Sequence, residues 1–297
     1  MERFNRRRFI ERLLLGGSGL LALRAATSAA QDETGDRDAE DRRIFARVVA
    51  EAATNGYGTK PIGEVMGAVG LGFLGVPYVA HSLEGQGEER LVVNLRAFDC
   101  TTFMESVLVL SRCIRSGQTT FEEYQRELQT IRYRGGIIEG YESRLHYFTD
   151  WIQDNAVKGA VRDVTRECGG ERDNRSISFM TAHAASYPRL SDTAALTAIR
   201  NIEHRLSASE RYLLPKARVE AASDRLATGD IIGITTTLQG MDVSHVGIAV
   251  RSGGKVKFLH APLSGAVVTL TASTLSDYLA KNDKQTGIIV ARPVDPA

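Results

Sequence analysis

One cysteine of this chain occupies a position that favours nucleophilic chemistry. Cys100 stands in the segment FDCTTF (98–103), in the first turn of a predicted helix and directly after Asp99. A thiol is nucleophilic only as the thiolate, and an ordinary thiol with a pKa of about 8.5 is barely ionised at neutral pH. The unpaired N–H groups and positive dipole end of a helix start favour an anion, so we expect them to lower the pKa of Cys100 and to bind an oxyanion. The alternative is that Cys100 is a small, buried apolar residue.

Two histidines further along the chain could supply the base and the group that orients it. The segment VSHVGIAV (243–250) alternates as a strand does, and it contains His245. A two-residue turn at Gly253-Gly254 closes a hairpin with the next strand. In that register His260 is a diagonal neighbour of His245 on the same face, close enough for the two rings to meet. A shift of one residue would put the histidines on opposite faces.

The residues after Cys100 have the spacing of an amphipathic helix that runs to about Arg115. Its apolar face consists of Phe103, Val107, Leu110 and Ile114. Asp99 occupies the N-cap position, and Gly117 can end the helix. We expect this helix to pack on the sheet face that carries His245, where small residues leave room, namely Gly247 and Ala249.

The other elements follow from hydrophobic periodicity and from breaker residues. Helices are predicted at 40–54, within 62–77, through most of 119–215 and at 274–281. Strands are predicted at 91–95, 229–236, 243–251, 255–261, 265–271 and 286–292. Helices in the first part of the chain and consecutive strands in the last part predict an α+β fold.

The first thirty residues have the pattern of an export signal. A positive region, Arg6–Arg8, precedes an apolar run at 13–23 that is too short to span a bilayer, and Ser28-Ala29-Ala30 fits a cleavage site. NRRRFI (5–10) also fits a twin-arginine signal. The alternatives are an ordinary secretory signal or an uncleaved anchor. Residues 31–43 lack apolar periodicity and are predicted to form a solvated linker.

Composition limits the class of protein. The chain is 43% hydrophobic and 25% charged, which is ordinary for a globular protein. Removal of residues 1–30 takes six of the 37 Lys and Arg and two of the 36 Asp and Glu, which leaves 31 and 34 and a net charge of −3. That charge argues against a nucleic-acid partner. No other run is long and apolar enough to cross a membrane.

The other two cysteines, Cys113 and Cys168, are too few for a disulfide scaffold. A single bridge between them could form in an oxidising compartment. The alternative is two unrelated thiols, with Cys113 in a core. Either way Cys100 is left unpaired.

The chain resembles the NlpC-type papain-like cell-wall hydrolases over roughly residues 72–270. The segments that carry the resemblance follow the family's order: LGVPY (74–78), FDCTTF (98–103), TGDII (228–232), SHVGI (244–248) and LHAP (259–262). The resemblance implies a papain-like fold with Cys100 as nucleophile, His245 as base and His260 as the orienting residue. It also implies that Tyr78 lies beside the thiol, although Tyr78 could instead be a packed core aromatic.

Two features of the chain differ from the family at large and resemble its N-acetylmuramoyl-L-alanine amidase-like branch. Thr101-Thr102 replaces the common Ser-Gly after the nucleophile, and 145 residues separate Cys100 from His245. That branch carries an insertion whose segments are similar to YRGG (133–136), YESRLHY (141–147) and DW (150–151) of this chain, within the insertion at about 119–215. The resemblance therefore implies cleavage of the amide between the muramic acid lactyl group and L-alanine.

The insertion and the segments around the thiol provide candidate substrate-binding or supporting residues. They are Tyr78, Asp99, Thr101, Arg134, Ser143, Arg144, His146 and Ser244. Arg134 and Arg144 could form forked bonds to carboxylates of the stem peptide. The side chains that could wall a groove are Tyr141, Tyr147 and Trp151. The alternative is a structural helix from about Ser143, with His146 paired to Asp150, and with Leu145, Phe148 and Ile152 packed.

We therefore predict a monomeric thiol amidase, periplasmic or otherwise exported, that acts on peptidoglycan or muropeptide fragments and needs no cofactor or metal. Its single papain-like domain, 44–297, has the nucleophile helix packed on an antiparallel sheet or half-barrel, plus the helical insertion. The nearest alternative is an endopeptidase that cuts between D-glutamate and diaminopimelate. A zinc amidase lacks support, because the sequence has no His-Glu-x-x-His helix and no paired cysteine ligands. The remaining alternative, a wall-binding module without catalysis, is disfavoured by the intact cysteine and histidines.

Overall fold

The computed structural model describes residues 23–85, 87–264 and 266–297. The chain divides into two compact units, Met1–Glu40 and Asp41–Ala297, and all candidate site residues lie in the second. The predicted export signal at 1–30 lies largely outside the described residues.

The described α-helices are numbered in chain order. They are α1 (Leu23–Thr54), α2 (Ile62–Leu71), α3 (Cys100–Ser116), α4 (Phe121–Arg132), α5 (Phe148–Val157), α6 (Phe179–Ala182), α7 (Thr193–Ala208) and α8 (Leu275–Ala280). None of these helices has a stretch long and apolar enough to cross a bilayer. Helix α1 includes residues 31–43, where a linker was predicted. Residues 35–39 are exposed but Asp41 is buried, so the segment is helical and is not solvated throughout.

Eight strands form one antiparallel sheet in the described part of the chain. They are β1 (Val161–Asp163), β2 (Glu171–Arg172), β3 (Tyr212–Pro215), β4 (Ile231–Thr236), β5 (Val243–Ser252), β6 (Lys255–His260), β7 (Thr269–Leu270) and β8 (Gln285–Pro293). Their order is β2-β3-β8-β4-β5-β6-β7, and β1 also pairs with β8. The predicted α+β fold, with helices beside an antiparallel sheet, is confirmed.

The β5–β6 hairpin has the predicted register. Ser252 pairs with Lys255 and Ile248 with Leu259, around a turn in which Gly253 and Gly254 have φ of 58° and 75°. Both turn residues need positive φ, which glycine adopts without strain. Before Ile248, β5 pairs with β4 but no longer with β6.

The sheet separates two apolar clusters, and helix α3 lies on the face opposite to the one expected. Ile248 and Leu259 share a cluster with Val107 of α3, whereas Ala249 and Phe258 belong to the cluster on the other face. Gly247 makes room for Phe258 rather than for the helix, because a Cβ there would lie 2.7 Å from the Phe258 ring. The expectation that α3 packs on the His245 face is therefore wrong.

Two further secondary-structure predictions are wrong, and for the first of them side chains bind the backbone groups that a strand would have paired. No strand forms at 91–95: the backbone N–H of Leu95 donates to Asp41 at 2.8 Å, and Arg132 donates to the Val92 carbonyl at 2.5 Å. The insertion at 119–215 is less helical than expected, since it contains β1, β2 and β3.

Candidate active site

Cys100 is the first residue of helix α3. Its predecessor Asp99 caps the helix by accepting from the Thr102 N–H at 2.7 Å, while the Thr102 hydroxyl accepts from the Asp99 N–H at 2.9 Å. Gly117 ends the helix in the left-handed conformation. The predicted caps at both ends are confirmed, and they leave the half-buried thiol at the helix start.

The thiol meets donors from two elements. The backbone of Val246 and the backbone and hydroxyl of Thr101 favour the thiolate and act to lower the pKa of Cys100. Val246 lies in the part of β5 that pairs with β4 but not with β6. The start of helix α3 therefore meets β5 beyond the end of the β5–β6 pairing. Even so, burial, together with the Asp99 carboxylate, raises the pKa of Cys100 to about 11. The expected lowering of this pKa is wrong, because desolvation outweighs the donors.

The two histidines form a hydrogen-bonded pair. His245 Nε2 lies 2.7 Å from His260 Nδ1. Phe258 stacks on the His260 ring at 4.6 Å and meets His245 edge-on at 5.7 Å, and Tyr278 of α8 meets His260 edge-on at 5.2 Å. Burial lowers the pKa of His245 to about 4 and, with repulsion from His245, that of His260 to about 3. Both rings are therefore neutral at physiological pH.

Cys100 and His245 line the same cavity, which has a volume of about 130 Å³. The other lining residues are Thr101, Met104, Leu145, His146, Phe148, Trp151, Asp242, Val243, Ser244 and Val246. The insertion supplies one wall and β5 the other. Transfer of the thiol proton to His245 requires the two groups to come within hydrogen-bonding distance or to be joined by one water.

Tyr78 lies close enough to Cys100 for the two groups to interact electrostatically. Its backbone N–H donates to the Ala266 carbonyl at 2.7 Å, and Ala266 holds a positive φ of 56°. Burial and the negative form of Cys100 raise the pKa of Tyr78 to about 12, so the phenol remains a donor.

The two arginines of the insertion have partners within the protein. Arg134 donates to both Asp150 oxygens, at 3.0 and 2.6 Å, and Arg144 donates to Glu84 at 2.7 Å and to the Leu83 carbonyl at 2.8 Å. Forked bonds to a substrate carboxylate would require either guanidinium to exchange these partners.

Of the remaining candidates, His146 and Ser244 line the cavity, whereas Ser143 holds the local backbone. His146 Nε2 lies 2.7 Å from the Tyr141 carbonyl rather than on Asp150, and α5 begins at Phe148, so the alternative of a helix from about Ser143 is wrong, although Leu145, Phe148 and Ile152 are packed as it expected. The Ser143 hydroxyl binds the local backbone, accepting from the Glu139 N–H and donating to the Gly140 carbonyl. Ser244 lines the cavity, and its hydroxyl donates to the Ile234 carbonyl at 3.4 Å.

Of the aromatic residues expected to wall a groove, only Trp151 lines the cavity of Cys100 and His245. Tyr141 and Tyr147 are buried in a third apolar cluster within the insertion. Asp242 lines the cavity but was not predicted; it accepts from the Thr149 N–H at 2.8 Å and so joins α5 to the start of β5. A single aspartate before a strand gives no sequence signal that could have identified it.

The other thiols and possible metal ligands give no second centre in the described residues. Cys113 and Cys168 are free and buried in different apolar clusters, so the bridge considered between them is absent. No group of three or more His, Cys, Asp or Glu side chains in those residues is placed to hold a metal ion.

Comparisons with known proteins identify a family and several similar crystal structures. Residues 68–288 match the AmiA-like family model, described as N-acetylmuramoyl-L-alanine amidase-like. A crystal structure of an N-acetylmuramoyl-L-alanine amidase from Bacteroides uniformis is 38% identical, with a TM-score of 0.74 over 79% of this chain and 99% of that one. A second crystal structure of an N-acetylmuramoyl-L-alanine amidase from that species is 39% identical, with a TM-score of 0.75 over 78% of this chain and 98% of that one. A Legionella pneumophila protein shares the fold at 19% identity, with a TM-score of 0.67 over 89% and 98%. The curated proteins yield no match.

Proposed function

The chain belongs to the AmiA-like family of N-acetylmuramoyl-L-alanine amidase-like proteins, and from this premise we propose that it hydrolyses the amide between the muramic acid lactyl group and L-alanine in peptidoglycan fragments. The observation that carries the proposal is the shared cavity of Cys100 and His245, with His245 bonded to His260. This arrangement provides a nucleophile, a base and an orienting group.

The base function follows from the tautomers of the two rings. To accept a proton at Nδ1, His245 must carry its hydrogen on Nε2, and that hydrogen points to His260 Nδ1 at 2.7 Å. His260 accepts at Nδ1 and therefore carries its own hydrogen on Nε2. His260 thereby keeps the lone pair of His245 Nδ1 available for the thiol proton.

In the proposed reaction, the Cys100 sulfur attacks the lactyl carbonyl carbon as its proton passes to His245 Nδ1. Backbone N–H groups at the start of α3 stabilise the oxyanion. The tetrahedral intermediate collapses, the C–N bond breaks, and the imidazolium returns its proton to the leaving amine of L-alanine. Water then attacks the thioester while His245 takes its proton, and the acid product and the free thiol are released.

Three further expectations belong to the same proposal. The order of the motifs, the nucleophile at a helix start and the histidines on an antiparallel hairpin support membership of the NlpC-type papain-like superfamily. The arginine-rich start and the apolar run before Ala30 support export, by a twin-arginine signal, to the compartment where peptidoglycan lies. We expect residues 44–297 to act as a monomer.

The decisive experiment is mass spectrometry of defined muropeptides after treatment with the mature chain and with Cys100→Ala. Release of an intact peptide and a lactyl-bearing sugar by the wild type alone would support the amidase. A dipeptide that stays attached to the sugar would instead identify the D-glutamate–diaminopimelate endopeptidase. Loss of activity on treatment with a chelator would favour a zinc amidase.

A wall-binding module without catalysis is distinguished by thiol chemistry as well. We expect iodoacetamide to modify Cys100 before the buried Cys113 and Cys168, and muropeptide to slow that reaction. Binding of muropeptide without any product would support the module.

A further inference from the structure

His146 lies where two cavities adjoin. It lines the cavity of Cys100, of about 130 Å³, and a neighbouring cavity of about 180 Å³. Thr101 and Leu145 are also common to both. Ionisable groups of both signs line the second cavity, among them Glu84 and Arg144. A substrate that extends from Cys100 into the second cavity must therefore pass the His146 ring.

The contacts of the His146 ring determine its tautomer. Nε2 lies 2.7 Å from the Tyr141 carbonyl oxygen, and the Tyr141 ring packs on it with centroids 4.3 Å apart. A carbonyl oxygen can only accept, so Nε2 carries the hydrogen. Burial, reinforced by Arg144, lowers the pKa of His146 to about 3, so the ring is neutral and Nδ1 holds a lone pair.

That lone pair has no hydrogen-bond partner among the residues that the structure describes. No donor among the described residues meets His146 Nδ1, and this nitrogen is not one of the buried unpartnered atoms. Nδ1 is therefore open to the cavities that the ring lines. Because His146 Nδ1 is a half-buried acceptor, a hydrogen bond from a donor group of a bound ligand would stabilise it.

We propose that His146 is a substrate-binding residue whose Nδ1 accepts a hydrogen bond from an amide N–H of the peptide part of the substrate. The inference rests on the proposed function and assigns the two sides of the scissile amide. The peptide part carries charged groups and matches the ionic lining of the second cavity, whereas the sugar offers only neutral groups. The leaving peptide thus lies toward His146, and the lactyl sugar extends away from it.

Two substitutions separate the acceptor from the structural bond. His146→Gln keeps an N–H at the position of Nε2, for Tyr141, but removes the acceptor. His146→Asn places an oxygen near the position of Nδ1 but cannot reach the Tyr141 carbonyl. We expect kcat/KM on a defined muropeptide to fall about 5- to 100-fold in the glutamine variant, and to stay within about threefold of wild type in the asparagine variant. Alkylation of Cys100 should be unchanged in both.

A modified substrate tests the same bond in the wild-type protein, without any risk of misfolding. Muropeptides N-methylated at single peptide bonds after L-alanine should include one that loses a similar factor with wild type but nothing further with His146→Gln. The proposal is overturned if the glutamine variant matches wild type, if asparagine loses as much as glutamine, or if N-methylation and His146→Gln act independently. A wild-type chain that releases no peptide at all would instead refute the amidase assignment.

Discussion

Cys100 and His245 are both uncharged in the resting protein. Burial raises the pKa of the thiol to about 11 and lowers that of the imidazole to about 4. An ion pair between them is therefore disfavoured before substrate binds. In the proposed mechanism the proton therefore leaves the sulfur as the carbon–sulfur bond forms, with His245 as a general base rather than as a preformed partner of a thiolate.

The pH dependence of the reaction should reflect this neutral histidine. We expect kcat/KM to fall in acid with an apparent pKa near 4 rather than near 6.5, because His245 stays deprotonated down to about pH 4. Folding is linked to the same shift: the depressed pKa contributes stability that is present above about pH 6.5 and is lost as pH falls toward 4. Activity should therefore be measured with circular dichroism at each pH. An acid limb near 6.5 in a fully folded protein would contradict the buried, neutral base.

The orienting role that we propose for His260 predicts a difference in activity between two substitutions. His260→Ala removes the acceptor for His245 Nε2 and should lower kcat by about 10²- to 10⁴-fold, with KM little changed. His260→Asn can present an oxygen in place of Nδ1 and should recover a large part of that loss. Equal activity of the two variants, at equal thermal stability, would show that the hydrogen bond between the rings is not required.

Asp99, at the start of helix α3, has opposite effects on helix stability and on ionisation of the Cys100 thiol. The Asp99 carboxylate stabilises the helix through a capping box with Thr102, yet its charge is one of the causes that raise the pKa of the neighbouring thiol. Helix α4 has a similar box, formed by Thr120 and Glu123, that lies away from the site. The two caps therefore allow helix stability and thiol chemistry to be separated.

We expect Asp99→Ala to destabilise the protein by about 1 kcal/mol, measured by urea unfolding, and to speed alkylation of Cys100 near neutral pH as its pKa falls. The control Thr120→Ala should have a similar effect on stability but none on alkylation. A slower alkylation in Asp99→Ala would mean that loss of the cap displaces the thiol more than loss of the charge activates it.

At the scale of the whole molecule, a buried polar network joins helix α3 to the insertion at 119–215. Glu105 of α3 accepts from Arg132 at 2.7 Å and from the Trp151 indole at 3.2 Å, so it links α3 to α4 and α5. Glu105 and Arg132 are almost fully buried, and Trp151 lines the cavity of Cys100 and His245. This network holds the insertion wall against the helix that carries Cys100.

Removing only one of the two buried charges of this network should strongly destabilise the protein. Glu105→Met leaves the Arg132 charge buried and unpaired, which should destabilise the protein by about 3–5 kcal/mol. The double variant Glu105→Met, Arg132→Met removes both charges and should recover much of that loss in urea unfolding. If the single and double variants are equally unstable, packing rather than charge pairing dominates at this position.

Features with local signals could be predicted from the sequence. The cap at Asp99, the apolar period after Cys100 and the glycine at 117 predicted a helix over 100–115, and α3 spans Cys100–Ser116. The Gly253-Gly254 turn determined the hairpin register and hence brought His245 and His260 together. Caps, turns and periodicity are set by residues a few positions apart, which is why they can be read along the chain.

Tertiary structure alone decided the rest. The sheet face on which α3 packs, the partners of Arg134 and Arg144, and the absence of a strand at 91–95 depend on contacts between distant segments. The direction of the Cys100 pKa shift has the same origin. A helix start favours the thiolate locally, but the surrounding side chains remove water from the sulfur, and that desolvation is the larger effect.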